Sequence, residues 1–474
     1  MDIVGRAAQL FGNSPAIIVP EKALSFNDCA DSALYIANLL SHKGCHTGDI
    51  IAIVSPNTPE LFLTLLGLLK AGMVAAPLNY RLPKERLNVM LAKLQPKLVL
   101  THSELDLPFY GLKTVTLTAF LENTLPYSIT DIFALKEMER PATIIHTSAS
   151  SGEAKAAVHS VANHWYSAIG SNENLPFSPG DCWLLSLPLY HIGGYSLLFR
   201  AFVSGAAVAI DSPDESITSS LQNFPLTHLS LVPTQLYRLL ADTKSTALLR
   251  NLKAVLLGGS SSPNSLIKDA LCQNIRLYLS YGSTEMSSQI ATTPEPISSI
   301  QQNSGRVLPH REIRAAKDGE LLVKGATLFK GYLNCGEIQP QTDNNGWFHT
   351  SDIGSVSDDG TVTVIGRKDS MFISAGENIH PEEIEKALMM IDGIRDALIV
   401  PVPDHEYGQR PVAFIRTFDK NNPSDSTISL TLNTMIGKLK TPTSYFRITH
   451  WLTLPGSQKI DRTWYKKLAL AQKK

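Results

Sequence analysis

An α/β fold is predicted: a large N-terminal domain of mainly parallel, helix-covered sheets, a small β-rich subdomain, and a small α+β C-terminal domain. Three observations predict it. Short apolar runs alternate with amphipathic helical stretches through the first two thirds of the chain, as βαβ units require. From about Asp318 the texture changes to short alternating runs with turn signals. After Arg367 a compact unit opens with a proline- and acid-led helix start.

The apolar runs fall at Ile50 to Val54, Leu98 to Thr101, Ala142 to His146, Trp183 to Leu187, Ala206 to Ile210, Leu229 to Pro233 and Ala254 to Leu257. Amphipathic stretches such as Pro59 to Ala71 and Pro233 to Ala241 lie between them. In the β-rich part, Gly319 to Lys324 reads as a strand, and Asp358 to Ile365 carries an Asp-Gly pair flanked by alternating residues, which is a hairpin signal. Pro381-Glu382-Glu383 places proline and two acids in a first helical turn, where the missing N–H costs nothing and the helix dipole favours negative charge. Ala397 to Val402 and Val412 to Thr417 then read as strands. The expected boundary puts domain one at 1–367 and domain two at 368–474.

A chain of 474 residues with 43% hydrophobic content can bury a large core and exceeds one ordinary domain. Basic and acidic residues number 42 and 43, so no global field favours nucleic acid or an anionic membrane, and phosphate binding must be local. The five cysteines stand singly, with no pair or histidine cluster at zinc spacing, which suits a reducing compartment. Asp2 follows the initiating methionine and no signal-peptide core follows it; the apolar run Leu61 to Leu69 is far shorter than the roughly 20 residues that span a bilayer. A cytoplasmic protein without membrane or nucleic-acid partners is expected.

Chemistry concentrates in six segments. Thr147-Ser148-Ala149-Ser150-Ser151-Gly152-Glu153-Ala154-Lys155 is small or hydroxylic almost throughout and then supplies a lysine, the composition of a phosphate cradle, although such a loop standing alone would more often be a surface turn. It lacks the Gly-Lys-Ser/Thr offsets of the Walker loop. Further on come Leu187-Pro188-Leu189-Tyr190-His191, Leu256-Leu257-Gly258-Gly259-Ser260, Tyr281-Gly282-Ser283-Thr284-Glu285, Thr350-Ser351-Asp352 with Ile365-Gly366-Arg367-Lys368-Asp369, and Lys459-Ile460-Asp461-Arg462. Several stand where an apolar run breaks into a turn, the place where open α/β sheets put ligands.

In order and type these segments resemble the signatures of the superfamily of acyl- and aryl-CoA ligases, peptide-synthetase adenylation domains and luciferases. Gly48 to Ile53 and Lys70 to Asn79 look like its opening repeat, so nearly the whole chain is covered. More narrowly, Trp183 to His191, Ser230 to Leu236 and Lys253 to Gly259 are similar to the o-succinylbenzoate:CoA ligases of bacterial menaquinone synthesis. The resemblance implies ATP, Mg²⁺ and coenzyme A as cofactor and cosubstrates, small-molecule partners only, and a C-terminal domain that moves. Oligomeric state is left open, a homo-oligomer included.

Residue by residue, the resemblance implies that Thr147, Ser148, Ser150, Ser151, Gly152 and Lys155 wrap the ATP phosphates. Thr284 and Glu285 match the phosphate and magnesium positions, and a hard carboxylate oxygen suits Mg²⁺. Gly258, Gly259, Ser260, Tyr281 and Gly282 would face the adenine and its surroundings. Asp352 and Arg367 match the ribose contacts, His191 the acyl-pocket gate, Asp369 the hinge, and Lys459 the lysine that bridges the carboxylate and the α-phosphate. Departures from the pattern occur at Ala149, Ser151, Ala154, Ser351 and Gln458. The second carboxylate of o-succinylbenzoate, if buried, needs a cation, and Arg238 is the candidate, with an exposed position on its helix as the alternative. A ligase for another aryl or medium-chain acid, or a non-catalytic acyl- or nucleotide-binding homologue, stays open.

Overall fold

The computed structural model describes residues 2–103, 105, 111–123, 138–147, 154–260, 262–301, 303–375, 377–418, 422–454 and 460–472. Two large sheets dominate. One has eight strands, with a parallel centre of Pro141–His146, Val74–Leu78, Ile50–Val54, Leu98–Thr101 and Thr114–Thr116. The other has nine, running in parallel register from Ala207–Ala209 through Cys182–Leu184, His228–Leu231 and Ala254–Leu257 to Leu277–Ser283, after which Ser288–Thr292 returns antiparallel.

Local chemistry explains the elements. Helix Pro59–Ala71 has proline at its first position, Thr58 accepting from the Leu61 N–H at 3.1 Å, and Gly72 at φ +73° to end it. Its Leu61, Phe62, Leu65, Leu66 and Leu68 are all buried, so this is a core helix rather than a surface one. Each such side chain contributes about 1.5–3 kcal/mol on leaving water.

Some expected strands are trimmed. The run Trp183 to Leu187 forms a strand only over Cys182–Leu184. The following turn is clamped by Asn57, whose Nδ2 donates to the Leu187 carbonyl and whose Oδ1 accepts from the Leu189 N–H, both at 2.9 Å. Strand His228–Leu231 likewise stops before Pro233, which becomes the first residue of helix Pro233–Leu240. The four-stranded β-rich sheet begins already at Arg311–Ala315, ahead of the change in texture at Asp318. Its strands Phe348–Val356 and Val362–Arg367 are joined through Asp359-Gly360, with Gly360 at φ +80°.

Beyond them, hairpin Phe372–Ser374/Glu377–Ile379, helix Pro381–Leu388 and the long antiparallel pair Ile394–Asp404/Gly408–Thr417 pack around Ile379, Ile384, Leu388, Ile399, Ile415 and Ile428. Among the described residues no helix is long and apolar enough to cross a membrane.

Candidate functional site

The loop Thr147–Lys155 joins two antiparallel strands, Pro141–His146 and Ala156–Ser160, and is closed at its base by the Thr147 N–H donating to the Lys155 carbonyl at 2.9 Å. Ser148, Ser150, Ser151 and Gly152 lie outside the described residues. Lys155 is exposed, with its ammonium 5.0 Å from the centre of the Tyr332 ring.

Thr284 and Glu285 open the turn between strands Leu277–Ser283 and Ser288–Thr292, where the Ser287 N–H donates to the Thr284 carbonyl at 3.0 Å; no helix starts there. Three bonds fix this turn from behind. His159, fully buried on strand Ala156–Ser160, donates from Nε2 to the Thr284 carbonyl at 2.7 Å. The Phe329 N–H donates to the Glu285 carbonyl at 2.8 Å. The Tyr332 hydroxyl donates to Glu285 Oε1 at 2.7 Å. Burial pushes the His159 imidazole down to about 4, so it stays neutral and keeps the proton it donates. Gly282 is required here: a Cβ on it would lie 2.1 Å from the Ser288 carbonyl oxygen.

Beside the turn, Tyr281, Asp352 and Arg367 form one group. The Tyr281 hydroxyl donates to Asp352 Oδ2 at 2.6 Å, and Arg367 Nη1 donates to Asp352 Oδ1 at 3.2 Å. Arg367 also reaches Asp369 through Nε at 3.1 Å and Nη2 at 3.3 Å. Burial raises the Asp352 carboxyl above its ordinary value, against the pull of Tyr281 and Arg367. Ser351, which presents Asp352, sits at φ +59°. Gly259, at φ +84°, turns the chain after strand Ala254–Leu257, and Gly258 passes close to Ser280, to whose carbonyl oxygen a Cβ would come within 3.3 Å. Ser260 is exposed at the end of this turn.

His191 is half-buried at the N-cap of helix Ile192–Ser204, its ring 4.7 Å from that of Tyr190. Gly194 lets this helix leave the turn, because a Cβ there would meet the Pro188 carbonyl oxygen at 2.2 Å. Lys459 lies outside the described residues. The chain just beyond it is anchored, because Arg462 Nη2 donates to the buried Glu385 at 2.9 Å.

Comparison with known proteins places this geometry. The AMP-binding enzyme profile matches residues 4–333, and the AMP-binding enzyme C-terminal domain profile matches residues 383–459. The chain belongs to the AMP-binding enzyme family. It is 32% identical to a 2-succinylbenzoate–CoA ligase of Salmonella typhimurium over 466 residues, covering 98% of this chain and 96% of that one. Among solved structures it is similar to the o-succinylbenzoate CoA synthetase of Bacillus subtilis in complex with the acyl-adenylate intermediate OSB-AMP, with TM-score 0.88, 27% identity and 98% of both chains covered. The complex of the same Bacillus enzyme with ATP and magnesium ion gives TM-score 0.87 at 27% identity, again over 98% of both chains.

Of the two positions open for Arg238, the structure shows the exposed one. Arg238 stands exposed on helix Pro233–Leu240, whose buried side is Pro233, Leu236 and Leu239, so it does not offer the buried cation expected of it. A buried cation stands instead at Arg200. It is the single charged residue of the apolar helix Ile192–Ser204 and is 3% exposed. Its Nη2 donates to Gln289 Oε1 at 2.6 Å, its guanidinium carbon lies 5.3 Å from the Trp183 ring centre, and its Nε has no partner among the described residues. Burial lowers it to about 10. A second buried guanidinium, Arg311, differs: the carbonyls of Gln289, Pro309 and Ser167 all accept from it, which makes it a structural tie. A lone arginine within Tyr195 to Phe202 was the sequence signal for Arg200. Tyr332 and Asn57 had none, since their roles arise from contacts across more than forty residues of chain.

Proposed function

We propose that this chain is an ATP-dependent acid–thiol ligase that adenylates o-succinylbenzoate and passes the acyl group to coenzyme A, giving o-succinylbenzoyl-CoA for menaquinone biosynthesis. The observation that carries this reading is likeness along the whole chain to 2-succinylbenzoate–CoA ligases. Arg200 supports the choice of acid, because a buried cation paired only with neutral groups is completed by a substrate carboxylate.

In the first half-reaction a carboxylate oxygen attacks the α-phosphorus and the bond to the β-phosphate breaks, releasing pyrophosphate. The protein's task is positioning and charge. Thr147, Lys155 and the hydroxyls between them hold the phosphates; Asp352 and Arg367 hold the ribose; the turn at Gly258, Gly259 and Ser260, with Tyr281 and Gly282, borders the adenine; Lys459 bridges the carboxylate and the α-phosphate. The hard oxygens of Glu285, only one of them engaged by a protein donor among the described residues, fit a magnesium ion. Magnesium, when bound, neutralises charge on the phosphate oxygens. In the second half-reaction the thiol of coenzyme A, losing its proton, attacks the acyl carbon and AMP leaves, with His191 at the acyl pocket. Residues 1–367 bind ATP and acid, and residues 368–474 swing about Asp369 between the two steps.

Pyrophosphate release measured over a panel of acids tests the activity. O-succinylbenzoate is expected to exceed benzoate and medium-chain acids by at least 100-fold in kcat/KM, and preference for one of those acids overturns the substrate assignment. Measuring the half-reactions separately tests the swing: Lys459→Ala should lose most adenylation yet convert supplied acyl-adenylate to thioester, and equal loss of both steps refutes it.

A further inference from the structure

Glu285 is a long, half-buried side chain on a turn, and by itself it would sample several rotamers. One residue outside every motif restrains it. Tyr332 lies on strand Gly331–Asn334 and pairs with Ala157, on the strand that follows the phosphate loop, on one side and with Gln339 on the other. Its hydroxyl is bonded to Glu285 Oε1 at 2.7 Å, while its ring lies 5.0 Å beneath the Lys155 ammonium. The preceding Gly331, at φ +137°, brings the strand so close to its neighbour that a Cβ would lie 2.2 Å from the Gln339 carbonyl oxygen, so Tyr332 is set by backbone that cannot shift easily.

We infer that Tyr332 is a positioning residue that joins the magnesium carboxylate to the phosphate-loop lysine, its hydroxyl holding one oxygen of Glu285 and its ring holding Lys155. This rests on Glu285 as the magnesium carboxylate and Lys155 as a phosphate ligand. A carboxylate with one oxygen engaged by a neutral donor presents the other oxygen as its more available ligand. That one-oxygen mode suits small octahedral Mg²⁺ better than Ca²⁺, which readily takes both oxygens of a carboxylate. The aromatic face meanwhile attracts the ammonium and keeps it over the loop mouth. Metal and phosphate contacts are thus set by one rigid ring before ATP arrives. Partners of metal ligands of this kind are commonly worth 10–100-fold in metal affinity.

The test is calorimetric ATP binding to the full-length protein across free Mg²⁺ and Ca²⁺ concentrations and in EDTA. Tyr332→Phe keeps the ring and removes the hydroxyl. It should raise the Mg²⁺ needed for half-maximal enhancement of ATP binding about tenfold and narrow the preference for Mg²⁺ over Ca²⁺, while ATP affinity in EDTA stays within about twofold. Tyr332→Leu should weaken metal-free ATP binding as well, by about two- to fivefold. Lys155→Ala should reproduce that metal-free loss without moving the Mg²⁺ dependence, so both halves are read even if the leucine variant folds poorly. A phenylalanine variant that matches the natural protein in Mg²⁺ half-saturation and in metal preference overturns the inference. Glu285→Gln reports on the carboxylate itself: if ATP binding to that variant keeps its full Mg²⁺ dependence, the metal assignment fails on its own account.

Discussion

The hairpin Leu277–Ser283/Ser288–Thr292 carries a different kind of charge at each of two places. At Tyr281 it meets Asp352, whose carboxylate already has a phenol and a guanidinium as partners and whose arginine is 45% exposed. At Gln289 it meets Arg200, which is 3% exposed and has no carboxylate partner among the described residues. The first is a saturated pair near water; the second is an uncompensated buried cation. A ligand at the first place must displace or share existing bonds and gains the difference. A carboxylate at the second supplies what the fold lacks, so the acid side should show larger mutational effects on binding and smaller ones on stability.

Arg200→Met tests this most severely. Removing the partner of a buried carboxylate costs about 3–5 kcal/mol, or roughly 150- to 5,000-fold, in kcat/KM for o-succinylbenzoate. KM for ATP should move less than about threefold. Stability should hold or rise, since a buried cation is exchanged for an apolar side chain of similar length. The exposed Arg238→Ala serves as control and should leave the acid KM within about twofold. A large fall in melting temperature with an unchanged acid KM would mean that Arg200, like Arg311, is a structural tie, and the contrast between the two places would collapse.

Asp352→Asn probes the saturated side. Hydrogen bonds to a charged group are worth about 1.5–3 kcal/mol, so KM for ATP should rise by about 10–100-fold. Here stability should fall as well, because Arg367 loses one of its two carboxylates while keeping Asp369. A rise in KM for ATP larger than the loss of acid affinity in Arg200→Met would invert the comparison.

Most of the fold was legible because parallel strands buried on both faces read as continuous apolar runs: Ile50–Val54, Leu98–Thr101 and Ala254–Leu257 fall at the expected residues. Where the expectation overran, at Trp183 to Leu187, the limit came from Asn57, more than a hundred residues away in sequence. The same distinction governs the site. Asp352 and Arg367 belong to recognisable segments and come together in strand register. The exposure of Arg238 was not legible because helical periodicity alone does not say which residue of a mixed helix faces inward, whereas Arg200 stands in a helix apolar all round.

Acid should weaken the turn that both places share. His159, which holds the Thr284 carbonyl, is lowered by burial to about 4, and His164 beside it, bonded to Thr143 at 2.6 Å, is lowered well below its ordinary value by burial and by its neighbour. Unfolded histidines titrate near 6.5, so between pH 6.5 and about 4 the unfolded chain binds more protons than the folded one. The stabilisation is full above pH 6.5 and is lost as the pH falls through that window, at up to about 1.4 kcal/mol per pH unit for each histidine. Urea midpoints at pH 7, 6, 5 and 4.5 should show it, and His159→Gln should flatten the slope. An unchanged slope in that variant would place the acid sensitivity elsewhere.

The smallest effect is expected at Ser351, where the nucleotide side carries local strain. The residue sits at φ +59°, a left-handed conformation that costs a non-glycine residue about 1–2 kcal/mol. Its backbone is nonetheless held on both sides: its N–H donates to Glu320 Oε1 at 3.0 Å, and its carbonyl accepts from the Lys368 N–H at 2.7 Å. Ser351→Gly relieves the strain but gives the unfolded chain more freedom, which returns about 0.4–1 kcal/mol. The net gain should lie between about 0 and 1.6 kcal/mol in stability, read from the shift in urea midpoint. If the surrounding bonds alone aim Asp352, KM for ATP stays within about twofold. A glycine variant that is more stable but binds ATP distinctly more weakly would show that the serine itself helps to hold Asp352, and that the saturated side depends on more than the bonds to Tyr281 and Arg367.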